Sequence, residues 1–286
     1  MQLGDIELTF LSDGAFRLDG GAMFGIVPKP AWERRIPADE RNRIRLALRP
    51  LLIRTRDAAI LVDTGMGEKW DAKSIDVYGL ETSPPRLVQT LKERAGLAPE
   101  DVTHVVLTHL HFDHAGGTTR WVRPPAGDVA GEAALVFPRA QYVVQRGEWA
   151  VANAPDPRSR GSYRPEDFAP IAAAKRLQLI EGDTELVPGV RAVMTQGHTR
   201  SHQGVEIRAN GDTAFYFGDL IPTAAHLDPA WVMGYDCYPT EAATLKATLV
   251  ERAVAERWLV CFDHDPSAPG GRVVKDGRRY RLEPIA

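Results

Sequence analysis

Three imidazoles and one carboxylate fall within six positions, at His109, His111, Asp113 and His114. At this density such side chains have one shared use, donating lone pairs to a metal ion. Imidazole and carboxylate without thiolate suit zinc and admit iron, manganese or cobalt, because ligand type alone does not choose among them. Where the chain is extended, His109 and His111 project to the same side and can grip one ion together. Asp113 and His114 are neighbours and must diverge, which a second ion nearby would use. Gly116-Gly117 then lets the backbone turn tightly away.

The elements that must position these groups follow from the apolar pattern. Val105-Val106-Leu107 leads straight into the cluster and predicts a buried strand over 103–107. The same arrangement recurs. A strand at 191–194 runs into Gly197-His198, a strand at 213–217 ends in Gly218-Asp219, one at 258–262 ends in Asp263-His264, and one at 59–62 ends in Asp63-Thr64-Gly65. Further strands are expected at 6–11, 51–54, 134–137, 141–144 and 204–208, with a final hairpin about Asp276-Gly277. Pro85 and Gly96 bracket a helix over 85–95. A short helix is expected at 146–152. Leu245, Leu249, Val250, Ala253 and Val254 recur at helical spacing within 240–257, which predicts an amphipathic helix lying on a sheet. The segment Gly20–Pro30 is rich in Gly and Pro yet carries Met23, Phe24 and Ile26, and predicts a loop packed over the site. Residues 120–176 are the least patterned.

His109-Leu-His111-Phe-Asp113-His114 resembles the HxHxDH signature of the metallo-β-lactamase superfamily, in the version that supports two metals. The resemblance implies a four-layer αββα sandwich of two mixed sheets, formed by residues 1–286 as a single domain. It also implies the ligand sets: His109, His111 and His198 for one ion, Asp113, His114 and His264 for the other, and Asp219 bridging both, with two zinc ions as cofactors. Asp63 would orient the metal-site histidines by hydrogen bonding. His202 falls in a segment similar to the family's Gly-His-Thr-Pro-Gly-His; Arg200-Ser201 replaces Pro-Gly, which alters the turn and leaves His202 a supporting or structural residue. Two ions sharing a water bring its pKa toward neutrality, giving a hydroxide that attacks a carbonyl or phosphoryl centre, with Asp113 and Asp219 as the catalytic proton acceptors.

Within the superfamily the chain looks most like the branch of N-acyl-homoserine lactonases and methyl-parathion-type hydrolases, which implies quorum-quenching lactone opening. The lactonases usually place a Tyr three residues after the bridging Asp; here that position is Pro222, and Tyr235 or Tyr238 are the candidates to replace it. A pocket wall is expected from Met23, Phe24, Ile26, His226, Trp231, Met233 and Tyr235, favouring a small substrate with an apolar acyl or aryl group. The same residues would equally serve a core or a homodimer contact. Phosphotriester or β-lactam hydrolysis on the same site is the alternative, and a mononuclear-iron sulfur dioxygenase is the alternative of another class; His264 discriminates, since a one-iron site has no use for it. A net charge of -3 and a pI near 6.3 oppose nucleic-acid binding. No signal peptide or membrane-length apolar run is visible, and Cys237 and Cys261 are too few for a disulfide framework, so a cytoplasmic protein without membrane contact is expected.

Overall fold

Strand residues alternate between two buried faces, and the alternation builds the layers. In the strand Ala59–Val62, Ile60 and Val62 face inward between two sheets, while Leu61 faces an outer helical layer. In His104–Val106 the same division separates Val106 from Val105. The computed structural model describes residues 1–81, 86–127, 129–277 and 279–285. Pro85, expected to open a helix, lies outside the described residues; the helix runs Leu87–Ala95 and stops at Gly96, whose φ of 68° suits glycine.

The first sheet orders its strands as Gln2–Leu3, Ile6–Phe10, Leu51–Arg54, Ala59–Val62, His104–Val106, Gln141–Gln145 and Leu177–Ile180. The second runs Thr184–Val187, Val190–Met194, Gln203–Ala209, Asp212–Tyr216, Leu259–Cys261, Gly270–Asp276 and Arg279–Pro284. Both sheets mix parallel and antiparallel pairs. They pack face to face through Val62, Val106 and Val143 on one side and Val205, Ala214 and Tyr216 on the other. The helices Leu87–Ala95 and Pro165–Ala173 cover the outer face of the first sheet, and Pro239–Ala255 covers that of the second through Leu249, Val250 and Ala253. This is the αββα sandwich. No helix among the described residues is long and apolar enough to cross a membrane.

Two departures from the sequence expectation matter. The segment expected as a loop contains a short helix, Gly20–Phe24, capped by the Asp19 carboxylate accepting from the Ala22 N–H, and a second, Lys29–Trp32. It belongs to a cap whose hairpin, Ala15–Asp19 with Arg43–Ala47, pairs residues too distant in sequence to be anticipated. Within the poorly patterned stretch, Pro165 starts the helix Pro165–Ala173.

Parallel pairing of Val62 with Val106, and of Tyr216 with Cys261, brings strand ends together in each sheet. The Gln203 N–H donates to the Thr108 carbonyl across the two sheets. The ligand-bearing loops therefore converge at one edge of the sandwich.

Candidate metal centre

The motif leaves its strand at Val106, passes through His109 and His111, and enters a single turn of helix, Phe112–Ala115. Its glycines are required by close approach: a Cβ on Gly116 would lie 2.3 Å from the Met66 carbonyl oxygen, and one on Gly117 2.2 Å from that of Thr64. A buried lysine pins this exit. Lys69 Nζ donates to the Gly116 carbonyl at 2.5 Å and pairs with Asp167 at 3.0 Å.

Two ligand clusters lie on either side of Asp219, and a third grouping, Asp63, His114 and Asp263, adjoins the second of them. His109, His111 and His198 present ring nitrogens within 4.8 Å of one another, as do Asp113, His114, Asp219 and His264 with one atom each. Asp219 faces both: Oδ2 is 3.2 Å from His198 Nε2, and Oδ1 is 3.5 Å from His114 Nε2 and 3.4 Å from His264 Nε2. The residues fit metal ions on the structure's own terms. His109 Nε2 and Asp219 Oδ1 are buried with no hydrogen-bond partner among the described residues. His198 Nε2 lies 3.1 Å from His111 Nδ1, and His264 Nε2 3.2 Å from His114 Nε2. Ligand atoms held about 2.0–2.1 Å from a tetrahedral ion are spaced at roughly 3.3 Å.

The outer ring nitrogens are held by the scaffold. His114 Nδ1 donates to Asp63 at 3.0 Å, His198 Nδ1 to Asp236 at 3.0 Å and His264 Nδ1 to the Ala47 carbonyl at 2.8 Å. Asp63 also accepts from the Thr108 N–H at 2.8 Å, and it holds this geometry with a left-handed φ of 56°. His202, fully buried, accepts from the Asp219 N–H at 3.1 Å. Glu148 ties three pieces together: it accepts from the Leu110 N–H between the two motif histidines, from the Tyr163 hydroxyl, and from Thr199 beside His198.

The two clusters differ electrostatically. Burial and neighbouring imidazoles hold His109 well below its ordinary pKa and push His111 down to about 3. At His264 burial works downward too, but Asp263, Asp113 and Asp219 override it and raise the imidazole to about 9. His114 is likewise raised well above its ordinary value by Asp219, Asp113 and Asp63 against the effect of burial. Burial would raise Asp219, yet His114 and His198 hold it well below the usual carboxylate range. The carboxylate-rich cluster attracts positive charge strongly; in the three-histidine cluster His109 and His111 offer neutral lone pairs, while Asp219 and Asp236 raise His198 above its ordinary pKa against the effect of burial.

A cavity of about 240 Å³ opens over both clusters, with Asp113, Asp219, His111, His198 and His264 on its floor. Leu18, Met23, Tyr78, Phe112 and Tyr235 form its wall, and Gly161-Ser162 its rim. Of the seven residues expected to line the pocket, Met23 and Tyr235 do so. Ile26 does not: after Gly25, at φ 55°, the chain turns outward and leaves Ile26 86% exposed. Phe24, His226, Trp231 and Met233 form the layer behind the wall instead. Phe24 stacks between Trp32 at 5.3 Å and His226 at 4.6 Å, with Trp231 edge-on at 5.8 Å, and Met233 is buried in the same cluster. His226 Nε2 meets the Met23 carbonyl at 2.9 Å, so it supports the wall without entering it. Truncating Phe24 to Ala is therefore expected to cost about 3–5 kcal/mol of stability, read by urea denaturation, in place of a selective effect on long substrates.

Tyr238 is also outside the cavity, lying under the Arg200 guanidinium at 4.0 Å, whereas Tyr235 lines the same cavity as Asp113 and Asp219. Tyr78, Glu148 and Asp236 had no signal in the sequence. Tyr78 sits in the last turn of the helix Ala72–Tyr78, before Gly79, a pattern that marks a helix end and says nothing of a pocket.

Comparison with known proteins agrees with this geometry. The N-acyl homoserine lactonase of Bacillus cereus is 32% identical over 235 residues, covering 78% of this chain and 83% of the relative. The crystal structure of a probable metal-dependent hydrolase from Staphylococcus aureus superposes with a TM-score of 0.88 at 33% identity, covering 100% of both chains. AidC, a dizinc quorum-quenching lactonase solved with its product, superposes with a TM-score of 0.79 at 21% identity over 100% of this chain and 96% of the other, a likeness of fold. The metallo-beta-lactamase superfamily model matches residues 50–264, a span that runs from the first central strand to the last of the clustered histidines. With sandwich, strand-end clusters and relatives all in accord, the chain belongs to the metallo-β-lactamase superfamily, as a metal-dependent hydrolase.

Proposed function

We propose that this chain is a two-zinc lactonase, a single domain that opens the ester ring of small lactones bearing an apolar acyl chain. The observation that supports it most directly is Asp219, which turns one carboxylate oxygen toward each ligand cluster. A residue so placed serves a pair of ions. The assigned holders are His109, His111 and His198 on one side, Asp113, His114 and His264 on the other, with Asp219 between. The lactonase relatives and the dizinc lactonase of like fold favour zinc and the ester substrate.

Bound there, two zinc ions supply Lewis acidity and bring the pKa of a water toward neutrality. The chain's own residues do the rest. Asp113 lines the cavity, and although burial works upward, His114 and His264 lower its pKa. Its carboxylate is thus free to take a proton from the attacking water and return it to the departing alkoxide oxygen. Tyr235, pushed up to about 12 by burial and by nearby acidic groups, keeps its proton and offers an O–H donor to the substrate's carbonyl oxygen. It fills the role left open by Pro222. Leu18, Met23 and Phe112 exclude water from the acyl chain.

Acyl lactones of increasing chain length, aryl esters, phosphotriesters and a cephalosporin make the test. The kcat/KM for lactones should exceed that for the other classes and rise about fourfold per added methylene, the equivalent of ~0.8 kcal/mol each, until the cavity is full. Turnover of cephalosporin alone, or a preference for phosphotriesters, would reassign the substrate. One bound iron with persulfide oxidation would reassign the class.

A further inference from the structure

Asp263 is 2% exposed, and among the described residues neither of its carboxylate oxygens has a hydrogen-bond partner. A buried carboxylate without a partner is strongly unfavourable, and a charge kept in such a place calls for an opposite one. Its Oδ2 lies 3.5 Å from His114 Nδ1 and 3.6 Å from His264 Nε2. Those are the two imidazoles of the carboxylate-rich cluster. The three-histidine cluster is held otherwise, by the hydrogen bond of His198 to Asp236 and by the contact of His109 with the Thr108 hydroxyl.

Asp263 does not duplicate Asp63. The Nδ1 proton of His114 is already directed to Asp63 at 3.0 Å. A separate ion between Asp63, Asp263 and His114 would have to displace that proton, and the void beside them is about 10 Å³, bordered by Arg49 and Tyr216. That is about the room of a single water. The position of Asp263 is fixed from behind: the Arg49 guanidinium donates to the carbonyls of Phe262 and Asp265 on either side.

Resting on the two-metal reading above, we infer that Asp263 is a positioning residue for the second metal site, holding negative charge against His114 and His264 so that this site binds its ion more tightly. Asp236 does the corresponding work for the first site, through a direct hydrogen bond to His198.

The two residues give a crossed test. Zinc affinity is measured by competition with a chromophoric chelator, and each site's occupancy by anomalous scattering from crystals equilibrated with limiting zinc. Asp263→Asn should weaken the second site about 10–100-fold and leave the first unchanged, and Asp236→Asn should do the reverse. Asp263→Ser, which removes bulk as well as charge, should repeat the site-selective loss. Metal-free Asp263→Asn should still unfold in one cooperative urea transition, because no hydrogen bond has been removed. A lowered midpoint with unchanged zinc affinity, or equal loss at both sites, would show a packing role and overturn the inference. Three ions on the wild type falling to two in Asp263→Asn would overturn it in favour of a separate cation site. Wild type taking two ions with Asp263→Asn undiminished would overturn the inference alone; wild type taking one ion would overturn the two-metal reading and the inference with it.

Discussion

Treatment with a zinc chelator is expected to bring lactone hydrolysis to background, and two equivalents of zinc per chain to restore it. Without metal, water returns from a pKa of about 7 to about 15.7, roughly eight orders of magnitude in ionised fraction at neutral pH. No side chain is arranged to replace it: Ser162, the serine on the cavity rim, donates to no imidazole among the described residues. The direction of the pH effect follows from the second cluster. In the metal-free protein His264, raised to about 9, and His114, also raised, carry protons that zinc must displace. Each displaced proton weakens zinc binding by about tenfold per pH unit as the pH falls below the raised pKa. Stripping should thus be faster at pH 6 than at pH 8, with proton uptake measurable in weak buffer. Full activity in protein shown by elemental analysis to be metal-free would contradict this account.

Glu148→Ala is expected to weaken the fold and the first metal cluster together. The carboxylate is 1% exposed and accepts from the Leu110 N–H at 3.0 Å, the Tyr163 hydroxyl at 3.0 Å and the Thr199 hydroxyl at 2.6 Å. Each buried donor left unpaired costs about 1–3 kcal/mol. Allowing for water entering the hole, the loss should be about 3–5 kcal/mol, equivalent to a Tm lower by roughly 6–15 °C. Because Leu110 separates His109 from His111 and Thr199 follows His198, zinc affinity at the first cluster should also fall, by about 10–100-fold. Glu148→Gln keeps the shape and one acceptor oxygen and should cost less in both. A calorimetric Tm and zinc content equal to the wild type's would remove Glu148 from the site's framework.

The sequence spoke clearly where chemistry and periodicity were local. A strand of three or four apolar residues followed at once by histidine or aspartate is visible in six to ten positions, so the stretches ending at Asp63, Asp219 and His264 could be recognised one by one. Contacts between distant segments leave no such mark. Glu148 sits on a helix that looks ordinary, and only its meeting with Leu110 and Thr199, 38 and 51 positions away, shows what it does. Asp236 reaches His198 across 38 positions. The cap misled for a related reason: Phe24 and Ile26 are two residues apart and alike in composition, but a left-handed glycine between them sends one into an aromatic stack and the other into solvent.

The convergence of both sheets on the centre has a consequence for the unfolded chain. His111 meets His198 across 87 positions, and His114 meets His264 across 150. An ion gripped by such a pair closes a loop as a disulfide would, and closing one of about 100 residues removes roughly 4.7 kcal/mol of entropy from the unfolded ensemble in the chain-entropy description. Cys237 and Cys261 are free thiols and provide no such staple. The ions that would open the substrate's ring would also be the chain's tethers, and losing them would loosen the sandwich along the seam where the two sheets meet.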